Sequence, residues 1–288
     1  VPAAATSLTA AVWTARAQAH AERADALTAG HRARRATGER HPVEDFLYEY
    51  YPTRPSVLRR WHPGVGTALE GPAPHAGWRH YSTGADGAVT LDAAAFREAR
   101  GDAVAFVARL LAATAGRPPT FGCFGLHEWA MVYRAAAHRH PLPLRLGQAG
   151  TDAVVEGATV RCSHVDAFRF FTPEAVGLNR LQPTRATQVD LEQPGCLHAT
   201  MDLYKWATKL GPAVPGELLL DCFALARAVR ELDMRASPYD LRAHGRAPVR
   251  IETAEGRAEY AAAQRGFTAR GAALRARLLE VCEVLDGA

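Results

Sequence analysis

The residue types that could do chemistry crowd into one stretch of this 288-residue chain, between Arg161 and Asp240. It carries Cys162-Ser163-His164-Val165-Asp166, Glu192-Gln193-Pro194-Gly195-Cys196-Leu197-His198, Met201-Asp202-Leu203-Tyr204-Lys205-Trp206 and Asp233-Met234-Arg235-Ala236-Ser237-Pro238-Tyr239-Asp240. Buried polar groups must be paired, so imidazoles, carboxylates and thiols among apolar neighbours imply a costly network or a site. The pattern points to a site. In the helix that opens after Pro194-Gly195, His198 and Asp202 stand four apart and share a face, which Lys205 continues. His164 and Asp166 alternate in a strand-like run and share a face as well.

Two chemistries fit these pairs. In one, His164, Asp166, His198 and Asp202 collect iron or zinc, since two histidines and a carboxylate with open positions suit non-haem iron and His/Asp sets also suit zinc. No standard ligand string is present, and His138-x-His140 is the nearest approach to a ligand pair. In the other, the pocket holds no metal or other cofactor. Its walls are Trp129, Tyr133, Phe168, Phe170, Tyr204 and Trp206, and a carboxylate lies at its floor. Aromatic faces attract cations and stack on bases, which suits a flat, alkylated base. Base excision needs an extruded nucleotide, an ionised carboxylate and a positioned water.

The carboxylate candidates are Asp202, Asp166, Asp190 and Glu128, with His127, His164 and His198 as further catalytic candidates. Arg134, Arg169, Arg235 and Tyr239 are candidates for the pocket's polar border. His127 and Glu128 are neighbours on one helix, about a hundred degrees apart, so they cannot serve a single ligand equally. The cysteines read as packed small residues, and Asp233-x-Arg235 reads as an ion pair closing a helix.

Several strings, among them Arg60-Trp61-His62-Pro63-Gly64, Gly125-Leu126-His127-Glu128-Trp129-Ala130-Met131-Val132-Tyr133, His164-x-Asp166-Ala167-Phe168-Arg169-Phe170-Phe171 and Asp233-Met234-Arg235-Ala236-Ser237-Pro238-Tyr239-Asp240, resemble a group of bacterial 3-methyladenine DNA glycosylases. The resemblance spans nearly the whole chain and implies removal of alkylated purines from DNA. The chain has no helix–hairpin–helix with a following Asp, no two-cysteine, two-histidine zinc pattern and no train of helical repeats. No catalytic residue is therefore carried over, and the site residues are read from this chain alone. The leading expectation is a DNA-repair glycosylase, a hydrolase with DNA as partner. A metal-dependent oxygenase or hydrolase acting on a small molecule is the runner-up, and a non-catalytic nucleic-acid binder is the third reading.

Long helices must position these residues. Helix formers fill Thr9–Arg35, and Gly38 ends that pattern. A short helix is expected from His41 to Pro52, then a Gly/Pro-rich loop region to about Gly87. Amphipathic helices follow over Asp92–Ala115, Phe121–His140, Pro215–Met234 and about Ala254–Leu285. Leu144–Leu146, Ala153–Val155 and Thr159–Cys162 read as three strands of a small antiparallel sheet, and Val249–Ile251 as a brief strand. The expected fold is α+β, predominantly α-helical with a small antiparallel β element, in one domain over residues 1–288.

Composition bounds the rest. The net charge is +4, and all but two of the 34 cationic side chains are arginines, which suits phosphate but does not demand it. Five scattered cysteines form no C-x-x-C pair, so neither a zinc ribbon nor a disulfide framework is indicated and the reducing cytoplasm is the expected compartment. No apolar run is long enough to span a membrane. The alanine-rich start, Val1 to Ala11, reads as carrying no secretory signal.

Overall fold

The computed structural model describes residues 6–138 and 140–287. Residues 1–5, part of the alanine-rich start, lie outside it. The chain begins with β1 (Thr6–Leu8), α1 (Ala10–Thr37), α2 (Phe46–Tyr50), α3 (Pro55–Leu58), β2 (Thr67–Leu69), β3 (Tyr81–Thr83) and β4 (Val89–Leu91). There follow α4 (Ala93–Ala115), α5 (Leu126–Ala130), α6 (Gly147–Glu156), α7 (Val165–Phe168), α8 (Pro173–Val176) and α9 (Gln188–Leu191). The last are α10 (Leu197–Met201), α11 (Leu203–Lys209), α12 (Gly216–Arg235) and α13 (Ala254–Asp286). The fold is predominantly α-helical with a small β element. None of the described helices is long and apolar enough to cross a membrane.

Helix α12 is the axis of the fold. Its spacing predicts one apolar side, but Leu218, Leu220, Phe223, Leu225, Val229, Leu232 and Met234 are all buried. A stripe that includes Glu217, Asp221, Arg227, Glu231 and Arg235 stays part-exposed, and α1, α10, α11 and α13 pack around the rest of the helix. Two charged residues, Arg230 and Asp233, are buried on it with the rest. Helix α1 is mostly polar and buries only the stripe Trp13, His20, Ala21, Ala24 and Thr28.

The sheet lies elsewhere than the sequence suggests. Its order is β1-β2-β4-β3, with β1 parallel to β2 and the other pairs antiparallel, so it is mixed rather than purely antiparallel. Strands β2 and β3 come from the region expected to be loop, β4 follows it and β1 precedes α1. Trp13, Trp61, Leu69, Ala73 and Val89 form a small core beside the sheet. Of the expected strands, Leu144 makes one isolated bridge to Tyr239. Ala153–Val155 lies in helix α6, which buries Thr151 and Val155 one turn apart. Thr159–Cys162 and Val249–Ile251 form no strand.

The expected helix over Phe121–His140 shrinks to the five residues of α5. Left-handed backbone at Phe124 (φ 47°), Gly125 (φ 76°) and Arg134 (φ 49°) breaks it on both sides. For Phe124 and Arg134 that geometry costs energy a helix would not require.

Candidate functional site

Three short segments of similar make-up meet beside α12: Cys123-x-x-x-His127, Cys162-x-His164 and Cys196-x-His198. Each leads into or begins a short helix, α5, α7 or α10, so a turn fixes the direction of each pair. The segments are pinned from outside. Asn179 accepts from the Cys162 backbone N–H at 2.7 Å and donates to the Cys162 carbonyl at 2.9 Å. The Gln193 side-chain oxygen accepts from the backbone N–H groups of Thr120 (2.8 Å) and Gly195 (2.7 Å). A Cβ at Gly195 would lie 2.4 Å from the Thr120 carbonyl, so only glycine allows this approach.

The three histidines are buried in a row. The ring centroids of His127 and His198 are 4.5 Å apart, edge to face, and those of His198 and His164 are 5.2 Å apart, stacked. Carboxylates close both ends. Nε2 of His127 lies 2.8 Å from Asp233 Oδ1, while Arg230 donates to Asp233 Oδ2 (3.1 Å) and to Glu128 (2.9 Å). At the other end, Nε2 of His164 lies 3.3 Å from Asp202 and 3.5 Å from Glu192. Asp202 also accepts from Tyr51 at 2.5 Å and from Lys205 at 3.0 Å. Lys205 reaches Asp166 at 2.9 Å, and Arg185 closes on the same carboxylate.

The electrostatics separate the three imidazoles. Burial disfavours charge on His127, but the Asp233 carboxylate outweighs it and holds the imidazole pKa well above its usual value. Burial likewise opposes ionisation of Asp233, yet His127 and Arg230 keep it below the usual carboxylate range. His164 is raised against burial by Asp202 and Glu192. His198 is pushed well down, by burial first and then by its two cationic neighbours. Among the described residues no hydrogen bond holds either ring nitrogen of His198, so it is a neutral imidazole free to act as a ligand.

A cavity of about 210 Å³ opens on this row, lined by His127, His198, Cys123, Cys162, Cys196 and Tyr260 among others. Inside it Cys123 Sγ lies 3.5 Å from His127 Nδ1, giving a thiol–imidazole–carboxylate chain with Asp233. Among the described residues one group of three donors lies close enough to share a metal ion: His127, His198 and Asp233, whose ligand atoms are all within 4.8 Å of one another. No family model, curated protein or solved structure matches the chain.

The six catalytic candidates read from the sequence, Asp202, Asp166, His198, His164, Glu128 and His127, do converge in this cluster. Their pairing differs from that expected. His164 is the residue before α7 rather than part of a strand, so it turns to Asp202 and Glu192 while Asp166 turns to Lys205. The metal set His164, Asp166, His198 and Asp202 does not close on one point; Asp233 and His127 complete the ligand group instead. Asp190 is exposed. His138 and His140 do not act as a pair, since His138 bonds Gln148 and the His140 ring packs on Tyr239.

The expected wall of Trp129, Tyr133, Phe168, Tyr204 and Trp206 does not form, although Phe170 and Tyr239 line a small cavity of about 20 Å³ with Glu128, Asp166 and His198. Trp129 is fully buried and donates to the Ala236 carbonyl. Tyr204 packs on Tyr51 and Phe223, and Trp206 on Phe106. All three are core: Arg145 lies over the Trp129 ring, Lys205 over the Trp206 ring, and Tyr204 meets two other rings. Phe168 packs on Phe171. Tyr133 and Arg134 both bond Glu156, and Arg235 bonds the Ala247 carbonyl and Glu259; none of the three lines the cavity. Tyr239 is buried.

Arg169 instead borders a second, more open groove of about 410 Å³ with Tyr50, Tyr51, Asp166, Arg185 and Lys205. The reading of single residues missed Asp233, Glu192 and the three cavity cysteines. The available signal was the recurrence of Cys two or four residues before His in three separate places.

Proposed function

We propose that the protein is a metal-dependent enzyme acting on a small molecule, with its metal held by His127, His198 and Asp233. The observation that carries this reading is the convergence of two histidines and one carboxylate on one point beside a cavity. Two imidazoles and a carboxylate leave open coordination positions, the arrangement suited to non-haem iron, with zinc as second choice. Two of the three ligands, His127 and Asp233, have an outer polar partner of the kind that orients metal ligands, and His198 is held by ring packing. Cys123 sits at the far nitrogen of His127, Arg230 holds the second oxygen of Asp233, and His164 stacks on His198. A bound metal would replace the proton now shared by His127 and Asp233 and would polarise a substrate or water in the cavity.

The test is metal analysis of the purified protein. A stoichiometric transition metal is expected in the wild type and lost in His127→Ala, His198→Ala and Asp233→Asn. Its absence from wild type after loading with Fe(II) or zinc overturns the reading.

A second reading, a DNA glycosylase acting on alkylated purines, is favoured by the open groove. Lys205 and Arg185 hold Asp166 ionised against burial. The part-exposed Tyr50, with one face stacked on Phe46, lines the groove, and Arg169, Arg185 and Lys209 border the same opening. A carboxylate beside stacking rings and phosphate-binding cations is what base excision uses. Release of free base from alkylated DNA by wild type, abolished in Asp166→Asn, is the expected result; no release ends this reading.

A further inference from the structure

The metal reading uses Cys123 only as a partner of His127 and leaves the thiols of Cys162 and Cys196 without a role. Of the five cysteines, Cys222 and Cys282 lie in the core on α12 and α13 and line no part of the cavity. The other three, Cys123, Cys162 and Cys196, arrive from three separate segments and line one cavity of about 210 Å³. Cys162, also a core residue, faces it with its thiol donating to the His164 carbonyl at 3.6 Å. All are free thiols. Random packing of small residues gives no reason for three thiols from distant parts of the chain to share one small cavity.

The spacing of the sulfurs says what they could hold. A single zinc ion binds thiolates at about 2.3 Å, which brings three sulfurs into one tight group. The only three-donor group that tight among the described residues is His127, His198 and Asp233, so the three sulfurs that line this cavity do not all lie within 4.8 Å of one another. Thiolates spread around an open volume are the ligands of a polynuclear cluster.

We propose that Cys123, Cys162 and Cys196 hold an iron–sulfur cluster in this cavity. Each iron–thiolate bond replaces an S–H bond, and the proton leaves to solvent. Leu181, Leu191 and Leu197 line the same cavity and limit water around the cluster. The anchors at Asn179 and Gln193 fix two of the three segments before any metal binds, which is the preorganisation a site needs. With three thiols, one corner of a four-iron cluster is left for a small ligand. His127 Nδ1, 3.5 Å from Cys123 Sγ, is placed to donate to a bound sulfur, and such bonds tune cluster potentials. The cluster shares no ligand with the His127, His198 and Asp233 centre, although His127 and His198 line the same cavity, so a substrate of that centre would share the space with the cluster.

The experiment is anaerobic reconstitution of the full chain with ferrous iron and sulfide, followed by assay of acid-labile sulfide, visible absorption and electron paramagnetic resonance after reduction. Wild type, Cys222→Ser and Cys282→Ser are expected to carry labile sulfide. Cys123→Ser, Cys162→Ser and Cys196→Ser are expected to lose it while keeping the circular dichroism of wild type. In case the serine variants do not fold, alkylation of the wild type gives an independent reading: Cys123, part-exposed at the cavity, should react with iodoacetamide before reconstitution and be protected after it. His127→Ala, which removes a ligand of the other centre, should keep labile sulfide. Iron bound without labile sulfide overturns the cluster and leaves the mononuclear reading standing. Labile sulfide retained in all three cavity variants, or unchanged alkylation, also overturns it.

Discussion

Nε2 of His127 stands 2.8 Å from Oδ1 of Asp233, with both side chains buried on facing elements α5 and α12. Neither charge has water to fall back on, so each depends on the other. The folded pKa of Asp233 is depressed, so its contribution is present above the unfolded carboxylate value of about 3.9 and is lost as pH falls through the folded value. The folded pKa of His127 is raised. Its contribution is complete below about pH 6.5 and is lost as pH rises through the folded value. The pair is therefore at full strength between roughly pH 4 and 6.5. Asp233→Asn leaves an imidazolium and Arg230 without their shared carboxylate, and about 3–5 kcal/mol of destabilisation is expected at pH 6. Urea midpoints across pH check this, and the deficit should shrink below pH 4.

Lys205 bridges Asp166 at 2.9 Å and Asp202 at 3.0 Å. Lys205→Met would leave two buried carboxylates facing each other. The lysine retains some solvent contact, and Asp166 keeps Arg185 while Asp202 keeps His164 and Tyr51, so the expected loss is about 2–3 kcal/mol, under that of a fully buried pair. Adding Asp166→Asn should recover part of it, since the repulsion then disappears. A double-mutant cycle measures the coupling, and strict additivity would show that the bridge carries no energy.

The long helices were legible in the sequence because α1, α4, α12 and α13 are longer than the period that reveals them. Helices of four or five residues such as α5, α7 and α10 are not stable on local propensity; turns and packing make them, and their residues give no repeat to read. The strands failed for a related reason. Each has three residues, and β1 pairs with β2 across sixty positions of chain, information that alternation within a strand does not contain. In α6 the β-branched run Val154-Val155 suggested a strand, whereas the buried spacing is that of a helix. The site was half legible. Its histidines and carboxylates stood out by type, but Asp233 sits two residues from Arg235 and looked locally paired, when its partners are His127 and Arg230.

Trp206 lies edge-on to Phe106 in the core, and the Lys205 ammonium sits over its ring. If such rings support the fold and touch no substrate, their loss should cost stability alone. Trp206→Ala is expected to lower stability by about 3–5 kcal/mol with metal content unchanged in the folded fraction. Thermal unfolding and metal analysis on the same sample decide it. A loss of metal or ligand binding at temperatures where the variant is folded would return this ring to the site.

His62 couples the small sheet to the helical body, and acid should act there. Its Nδ1 lies 2.9 Å from the Tyr81 hydroxyl, and its ring packs against His75 and Trp78. Burial pushes its pKa down to about 3, with His75 and Arg60 adding to the shift. A depressed histidine binds its proton more readily in the unfolded chain. The stability it permits is thus present above about pH 6.5 and falls steadily as pH drops toward 3. Depressed neighbours His75 and His20 act in the same direction, so acidification should open the region of Trp61 and Trp78 early. Tryptophan emission against pH at fixed, sub-denaturing urea reports the opening. His62→Gln, which cannot titrate, should flatten the dependence between pH 6 and 4, and an unchanged slope would remove His62 from this role.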